Sequence, residues 1–348
     1  MAYSTISKPS LHFNTATYAG NGGTNAITGL GFQPDMVWTK NRSAVANHLL
    51  YDAVRGAGYY LYPNLTNGQG GNGTSALDSF DSDGFTLDGG DDSNVNGQNG
   101  VAWTWKAGNS SGSSNTDGSI TSTVSANTTA GFSIIKYTGT GATATVGHGL
   151  NAIPDMMIIK RYSDAGEQWT IYHKSLGNTK HILLTNGGET TQANYWNDTS
   201  PTSSVWTMGN QSEINGSGTN NICYAFAEKK GYSKIGSYTG NGNADGPFVY
   251  TGFAPAFVIA KNSAISDWWS IFDNKRLGFN SSDSPRLLFP SANSAESTTK
   301  MLDFTSNGFK IRSSNTGVNG NGNKTIYMAF AEEPLVANVG ASIPATAK

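Results

Sequence analysis

Six aspartates fall between positions 78 and 92, in the run Asp78-Ser-Phe-Asp81-Ser-Asp83-Gly84 followed by Asp88, Asp91 and Asp92. Oxygen ligands at alternate positions around a glycine turn suit Ca2+, which makes Asp81, Asp83, Asp88, Asp91 and Asp92 the candidate cation ligands. Asp-Gly is also a type I′ hairpin signal, and Asn307-Gly308 stands at the matching place later in the chain; the turn reading therefore outweighs the metal reading. No other cofactor is expected. His148-Gly149-Leu150 offers a general base, yet no Gly-x-Ser-x-Gly elbow, Cys/His pairing or His-Glu-x-x-His helix completes a mechanism. A third pattern is Tyr51-Asp52, Tyr172-His173 and Phe272-Asp273, each followed within three residues or so by Arg55, Lys174, or Lys275 and Arg276. Such an acid is either a carboxylate held ionised for chemistry or a salt bridge closing a strand end, and the loss of the acid in one version favours the bridge. Glu228 and Glu332 match each other, but Ala107 holds the first version of that position, so the paired carboxylates of glycoside hydrolysis do not emerge. Tryptophan is the remaining candidate: a pyranose face pairs with an indole, and Trp196 and the outer member of the Trp268-Trp269 pair lie in contexts the other versions lack, so Trp196, Trp268 and Trp269 are the candidate stacking residues.

These comparisons are possible because the chain is written three times. Tyr18-Ala-Gly20-Asn-Gly22, Tyr137-Thr-Gly139-Thr-Gly141 and Tyr238-Thr-Gly240-Asn-Gly242 each precede, by 22 or 23 residues, the lysine that closes an apolar run: Lys40, Lys160 and Lys261. Phe85, Trp206 and Phe309 fill one later slot, and Trp105, Phe226 and Phe330 another. Recurrence of this kind marks scaffold.

Amphipathic helical periodicity is hard to find, whereas apolar runs of four to eight residues end at Gly, Asn, Asp or Pro. The expected fold is all-β: three tandem antiparallel β-sandwich, jelly-roll-like modules of about 100 residues. The expected divisions are an arm at 1–11, modules at 12–107, 132–230 and 231–334, a polar linker at 108–131 and a C-terminal arm at 335–348. The long Gly/Ser/Asn linker implies that the second and third modules pack together with the first set apart, and the arms are expected to reach a neighbouring subunit.

With 22 basic and 24 acidic side chains and no basic run beyond Lys229-Lys230, a nucleic-acid partner is not expected. Cys223, the one cysteine, excludes an internal disulfide and reads as core filler. Met1-Ala-Tyr-Ser does not begin like a secretory signal and no stretch has the length of a membrane helix, so a soluble product made in a cytoplasm, without membrane insertion, is expected.

The strings at 116–127, Trp169-Thr-Ile-Tyr-His-Lys-Ser-Leu176, Gly236 to Gly246, Ile326-Tyr-Met-Ala-Phe-Ala-Glu332 and Ile343-Pro-Ala-Thr-Ala347 resemble a family of virion structural and tail-associated proteins of marine bacteriophages, including those of cyanobacteria. The resemblance implies a virion surface protein, not an enzyme: a tail-fibre or receptor-binding adhesin, or alternatively a capsid decoration protein. Its implied partners are other virion proteins, copies of itself in a homo-oligomer such as a trimer, and a host surface glycan. A polysaccharide depolymerase is the remaining class.

Overall fold

The computed structural model describes residues 4–71, 76–89, 92–276, 280 and 285–334. The chain is all-β, with several antiparallel sheets. The first repeat holds β1 (Phe13–Ala19), β2 (Asn25–Thr28), β3 (Met36–Asn41), β4 (His48–Asp52), β5 (Leu77–Asp81), β6 (Gly84–Leu87) and β7 (Asn99–Trp105). Two further strands follow, β8 (Ser113–Asn115) and β9 (Ser122–Asn127). The second repeat holds β10 (Phe132–Thr138), β11 (Ala144–Gly147), β12 (Met156–Arg161), β13 (Thr170–His173), β14 (Lys180–Leu183), β15 (Thr190–Thr191), β16 (Val205–Met208) and β17 (Asn220–Phe226). The third holds β18 (Ser233–Thr239), β19 (Phe248–Tyr250), β20 (Phe253–Asn262), β21 (Ser270–Asp273), β22 (Leu302–Thr305), β23 (Gly308–Ile311) and β24 (Lys324–Pro334).

Each repeat has an inner sheet, in the orders β1-β7-β3-β4, β10-β17-β12-β13 and β18-β24-β20-β21, and a smaller outer one, β2-β6-β5, β11-β16 or β19-β23-β22. The inner strands are buried along nearly their whole length, and the period of two in a strand explains why the sequence there is apolar without alternating. Val37 faces its own outer sheet, with Ile27 and Phe85, while Met36 and Trp38 point the other way. In the second repeat Met157 and Ile159 face the outer sheet and Met156 and Ile158 the opposite side; in the third Val258 and Ala260 divide in the same way from Phe257 and Ile259. The second set of residues from all three repeats forms one shared core.

At the centre of that core the rings of Trp105, Phe226 and Phe330 face one another pairwise, with centroids 6.4, 5.8 and 6.0 Å apart. A void of about 10 Å³, at the lower limit for a water molecule and walled by apolar side chains, lies beside them. The first repeat therefore does not stand apart from the other two, as its long connector implied. Nor is 108–131 a free linker: Ser113–Asn115 and Ser122–Asn127 extend the inner sheet of the second repeat through β9 against β10, and Ile120 bridges to Val146 of β11. Its Ser and Thr side chains suit an edge position with one wet face as well as they suit a tether. At the N-terminus, Ile6 is buried in the shared core and the short 3-10 turn Pro9–Leu11 packs on β24 of the same chain, so residues 4–11 dock in cis. The C-terminal arm, 335–348, lies outside the described residues. Among the described residues no helix is long and apolar enough to cross a membrane; the three α-helices have four residues each.

Candidate functional site

Several of the recurrent polar positions lie at the seams between repeats. Three kinds of contact repeat in rotation. The backbone N–H of Gln69 donates to Tyr162 O (2.9 Å), that of Glu189 to Ser263 O (2.7 Å) and that of Glu296 to Arg42 O (3.0 Å); each acceptor stands two residues after the lysine of its apolar run. Trp169 Nε1 donates to Tyr62 O and Trp269 Nε1 to Leu183 O, both at 2.9 Å, while His48 Nε2 lies 3.1 Å from Phe289 O. His48, Trp169 and Trp269 hold one position, four residues before Asp52, His173 and Asp273. Around the centre the first repeat thus meets the second, the second the third and the third the first through matching atoms.

The third contact explains the incomplete acid pattern. Asp52 Oδ2 accepts from Arg55 Nε at 2.5 Å and, across the seam, from the Tyr224 hydroxyl at 2.7 Å. Asp273 Oδ2 accepts from Arg276 Nε at 2.6 Å and, across another seam, from Trp103 Nε1 at 2.9 Å. Trp103, Tyr224 and Met328 share one place on the paired strands β7, β17 and β24. Met328 has no hydrogen to donate, and the repeat facing it lacks both acid and guanidinium: His173 and Leu176 stand where the others have Asp and Arg. A buried carboxylate without a donor would be costly, so acid, cation and donor are lost together. His173 Nε2 instead lies 3.3 Å from Tyr327 O, and burial holds its pKa down at about 4. The cation is the residue three positions on, not the adjacent Lys174, which pairs with Asp155 and Glu228.

The three run-ending lysines are buried. Lys40 Nζ donates to Asn41 O (2.6 Å), Lys160 Nζ to Thr66 O of the first repeat (3.1 Å) and Lys261 Nζ to Asp267 O (2.7 Å). Burial lowers the pKa of each to about 8. One recurrent residue escapes a reading of the sequence: Asn94, Asn215 and Asn319 are buried, and each accepts through its side chain from the backbone N–H of Asn21, Thr140 or Asn241 in the Tyr-x-Gly-x-Gly turns. Its signal is an Asn five residues before the start of β7, β17 or β24, followed by Gly in two versions only.

The expected cation ligands do not converge. Asp83 caps the backbone N–H groups of Gly29 and Gly31 (3.1 and 2.6 Å), Asp81 accepts from Thr86 Oγ1, Asp88 from Gly89 N and Asp92 from Asn47 N. Asp91 lies outside the described residues, and among those described no three His, Cys, Asp or Glu side chains are grouped to hold a metal ion. The hairpin is present, with Ser82 and Asp83 between the paired Asp81 and Gly84. It is not type I′, since neither turn residue has a positive φ. Gly84 is required for a different reason: a Cβ there would lie 1.9 Å from Ile27 O, and one on Gly308 would lie 2.1 Å from Val249 O. His148 is buried, 3.2 Å from Thr202 O, accepts from Leu150 N and stacks on Trp206. Glu228 is held between Lys174 and Lys234, and Glu332 sits 3.5 Å from Lys275. Cys223 is buried and unbridged.

The tryptophans separate sharply. Trp196 and Trp269 are buried, with their N–H groups given to Lys180 O and Leu183 O, so neither can stack on a sugar. Trp268 is 40% exposed. It borders a cleft of about 310 Å³ with Asp267, Phe289, Asn315 and Gly317, on the third repeat alone: Asn47 and Gln168 take its place in the others.

No curated protein and no solved structure matches the chain. A family model described as Domain of unknown function (DUF7483) matches residues 8–334, a span that takes in all three repeats and all three seams, and the chain belongs to that family.

Proposed function

We propose that the protein is a non-enzymatic structural component of a bacteriophage particle's surface, a tail-fibre or receptor-binding element whose three jelly-roll-like β-sandwich modules present variable loops. The observation that carries this reading is the ring of matching seams. The residues at the recurrent positions that could have done chemistry fix one repeat to the next, through Asp52, Asp273, His48, Trp169 and Trp269. What differs among the copies is the acidic loop at 78–92, the segment around Trp196 and the Trp268 cleft. A rigid scaffold with divergent edges suits recognition. The phage assignment itself rests on the resemblance of the strings at 116–127, 169–176 and 236–246. In this reading copies associate with one another and with other virion proteins, and the ligand is a host surface glycan.

A capsid decoration protein is the second reading, and the rotational arrangement of the repeats favours it, because a body with threefold character fits a threefold site on a shell. Immunogold labelling and copy counting on purified particles decide between them. A few tens of copies on the tail support the fibre reading, copies over the head support decoration, and absence from particles overturns both.

A further inference from the structure

The Trp268 cleft has the parts of a saccharide site. The indole is held edge against face by Phe289, centroids 4.8 Å apart at 86°, so it is already ordered, and binding incurs little further ordering cost. No described residue accepts from its N–H, unlike those of Trp196 and Trp269. Beside it, Asp267 is fixed from behind: its backbone oxygen caps the buried Lys261 ammonium at 2.7 Å and its Oδ1 accepts from Trp268 N at 2.7 Å. Its Oδ2 has one long contact, 3.4 Å to Thr316 Oγ1, so it has acceptor capacity for a ligand hydroxyl. Across the cleft Asn315 uses its Oδ1 on Gly317 N, which leaves its amide NH2 as donor. An apolar plate flanked by one acceptor and one donor matches a pyranose, which has a C–H face and a rim of hydroxyls.

The same set selects among sugars. Among the described residues Asp267 carries the only ionisable side chain lining the cleft, and a carboxylate disfavours an anionic ligand. The geometry points to a binding site for a neutral hexopyranose or N-acetylhexosamine unit at Trp268, Asp267 and Asn315, with uronic and sialic acids excluded. The inference rests on the host-attachment reading, for which it names the ligand class and the place. Matching positions in the other repeats cannot do the same: Glu167 is paired with Arg161 at 2.9 Å, and Ala46 and Asn47 have no ring.

The other seven tryptophans are at most 3% exposed, so brief N-bromosuccinimide treatment of the intact protein oxidises Trp268 first. Its protection is the readout. Cellobiose, lactose and chitobiose are the neutral probes, with digalacturonate and sialyllactose as anionic ones; retention on immobilised neutral polysaccharide and labelling of host cells are measured for the native protein, Trp268→Ala and Asp267→Asn. The expected result is protection by at least one neutral probe and by neither anionic one, with retention falling at least tenfold in Trp268→Ala. Cell labelling that persists in Trp268→Ala, with no sugar protecting the indole, overturns the site and leaves the attachment reading standing. A native protein that binds neither cells nor polysaccharide overturns both.

Discussion

Replacing Tyr224 by Phe removes one hydroxyl and little else, because the ring keeps its place against Trp169, 6.4 Å away and nearly parallel. The hydroxyl is 2.7 Å from a fully buried carboxylate oxygen of Asp52, which keeps Arg55 Nε at 2.5 Å and Arg55 N at 2.8 Å. Asp52 therefore keeps its guanidinium partner and folded-state geometry is retained. A hydrogen bond to a charged group contributes about 1.5–3 kcal/mol, so Tyr224→Phe should lower the unfolding free energy by about 2 kcal/mol. The bond joins the first and second repeats, and the loss should move a single urea transition of the entire chain, with the slope m unchanged. Met328→Leu, at the matching place where no acid is opposite, should cost less than about 1.5 kcal/mol. A double-mutant cycle of Tyr224→Phe with Asp52→Asn isolates the pair. A loss below about 0.5 kcal/mol, or a transition that splits so that one repeat unfolds alone, would refute the reasoning.

Three further outcomes follow from the same geometry. Lys40, Lys160 and Lys261 have folded pKa values near 8 against about 10.4 unfolded; the unfolded chain binds more protons between those limits, so stability should rise from pH 8 to 10. Above pH 10 it should fall again, because burial raises the pKa values of Tyr195, Tyr238 and Tyr327 and the unfolded chain loses those protons first; a urea midpoint flat across pH 8–10 would contradict the lysine assignment. Gly84→Ala and Gly308→Ala should each cost about 1–3 kcal/mol by forcing a strand carbonyl away, and unchanged midpoints would show that the outer sheets yield freely. Added Ca2+ should leave the melting temperature unmoved, since the carboxylates of Asp81, Asp83, Asp88 and Asp92 already hold separate partners; a saturable upward shift would restore the cation reading.

Much of the scaffold was legible in the residues. Slot matching put Phe85, Trp206 and Phe309 in one recurrent packing slot and Trp105, Phe226 and Phe330 in another, and all six are buried. What the slots could not show is that the last three meet each other, because an inner strand buried on both faces has no polar side to mark which face turns to its own module. The same blindness hid the seams: Asp52 and Asp273 looked like local salt bridges, and only the facing Tyr224 and Trp103 reveal why His173 could replace the acid opposite Met328. The connector misled through composition, since the Ser and Thr residues of β8 and β9 read as tether when taken without their partner β10. For the site, unlikeness among copies singled out three tryptophans, but exposure separated Trp268 from Trp196 and Trp269, and exposure depends on neighbours far away in the chain.

The central claim is that three repeats form one body through three equivalent seams. Native-state hydrogen exchange at the seam amides of Gln69, Glu189 and Glu296 tests it most directly, because each donates to the next repeat and to nothing in its own. All three should exchange at the slow rate of amides in the central strands β7, β17 and β24, through global unfolding. Fast exchange at any one of them, with those strands still protected, would show a seam that opens independently and would contradict the single body.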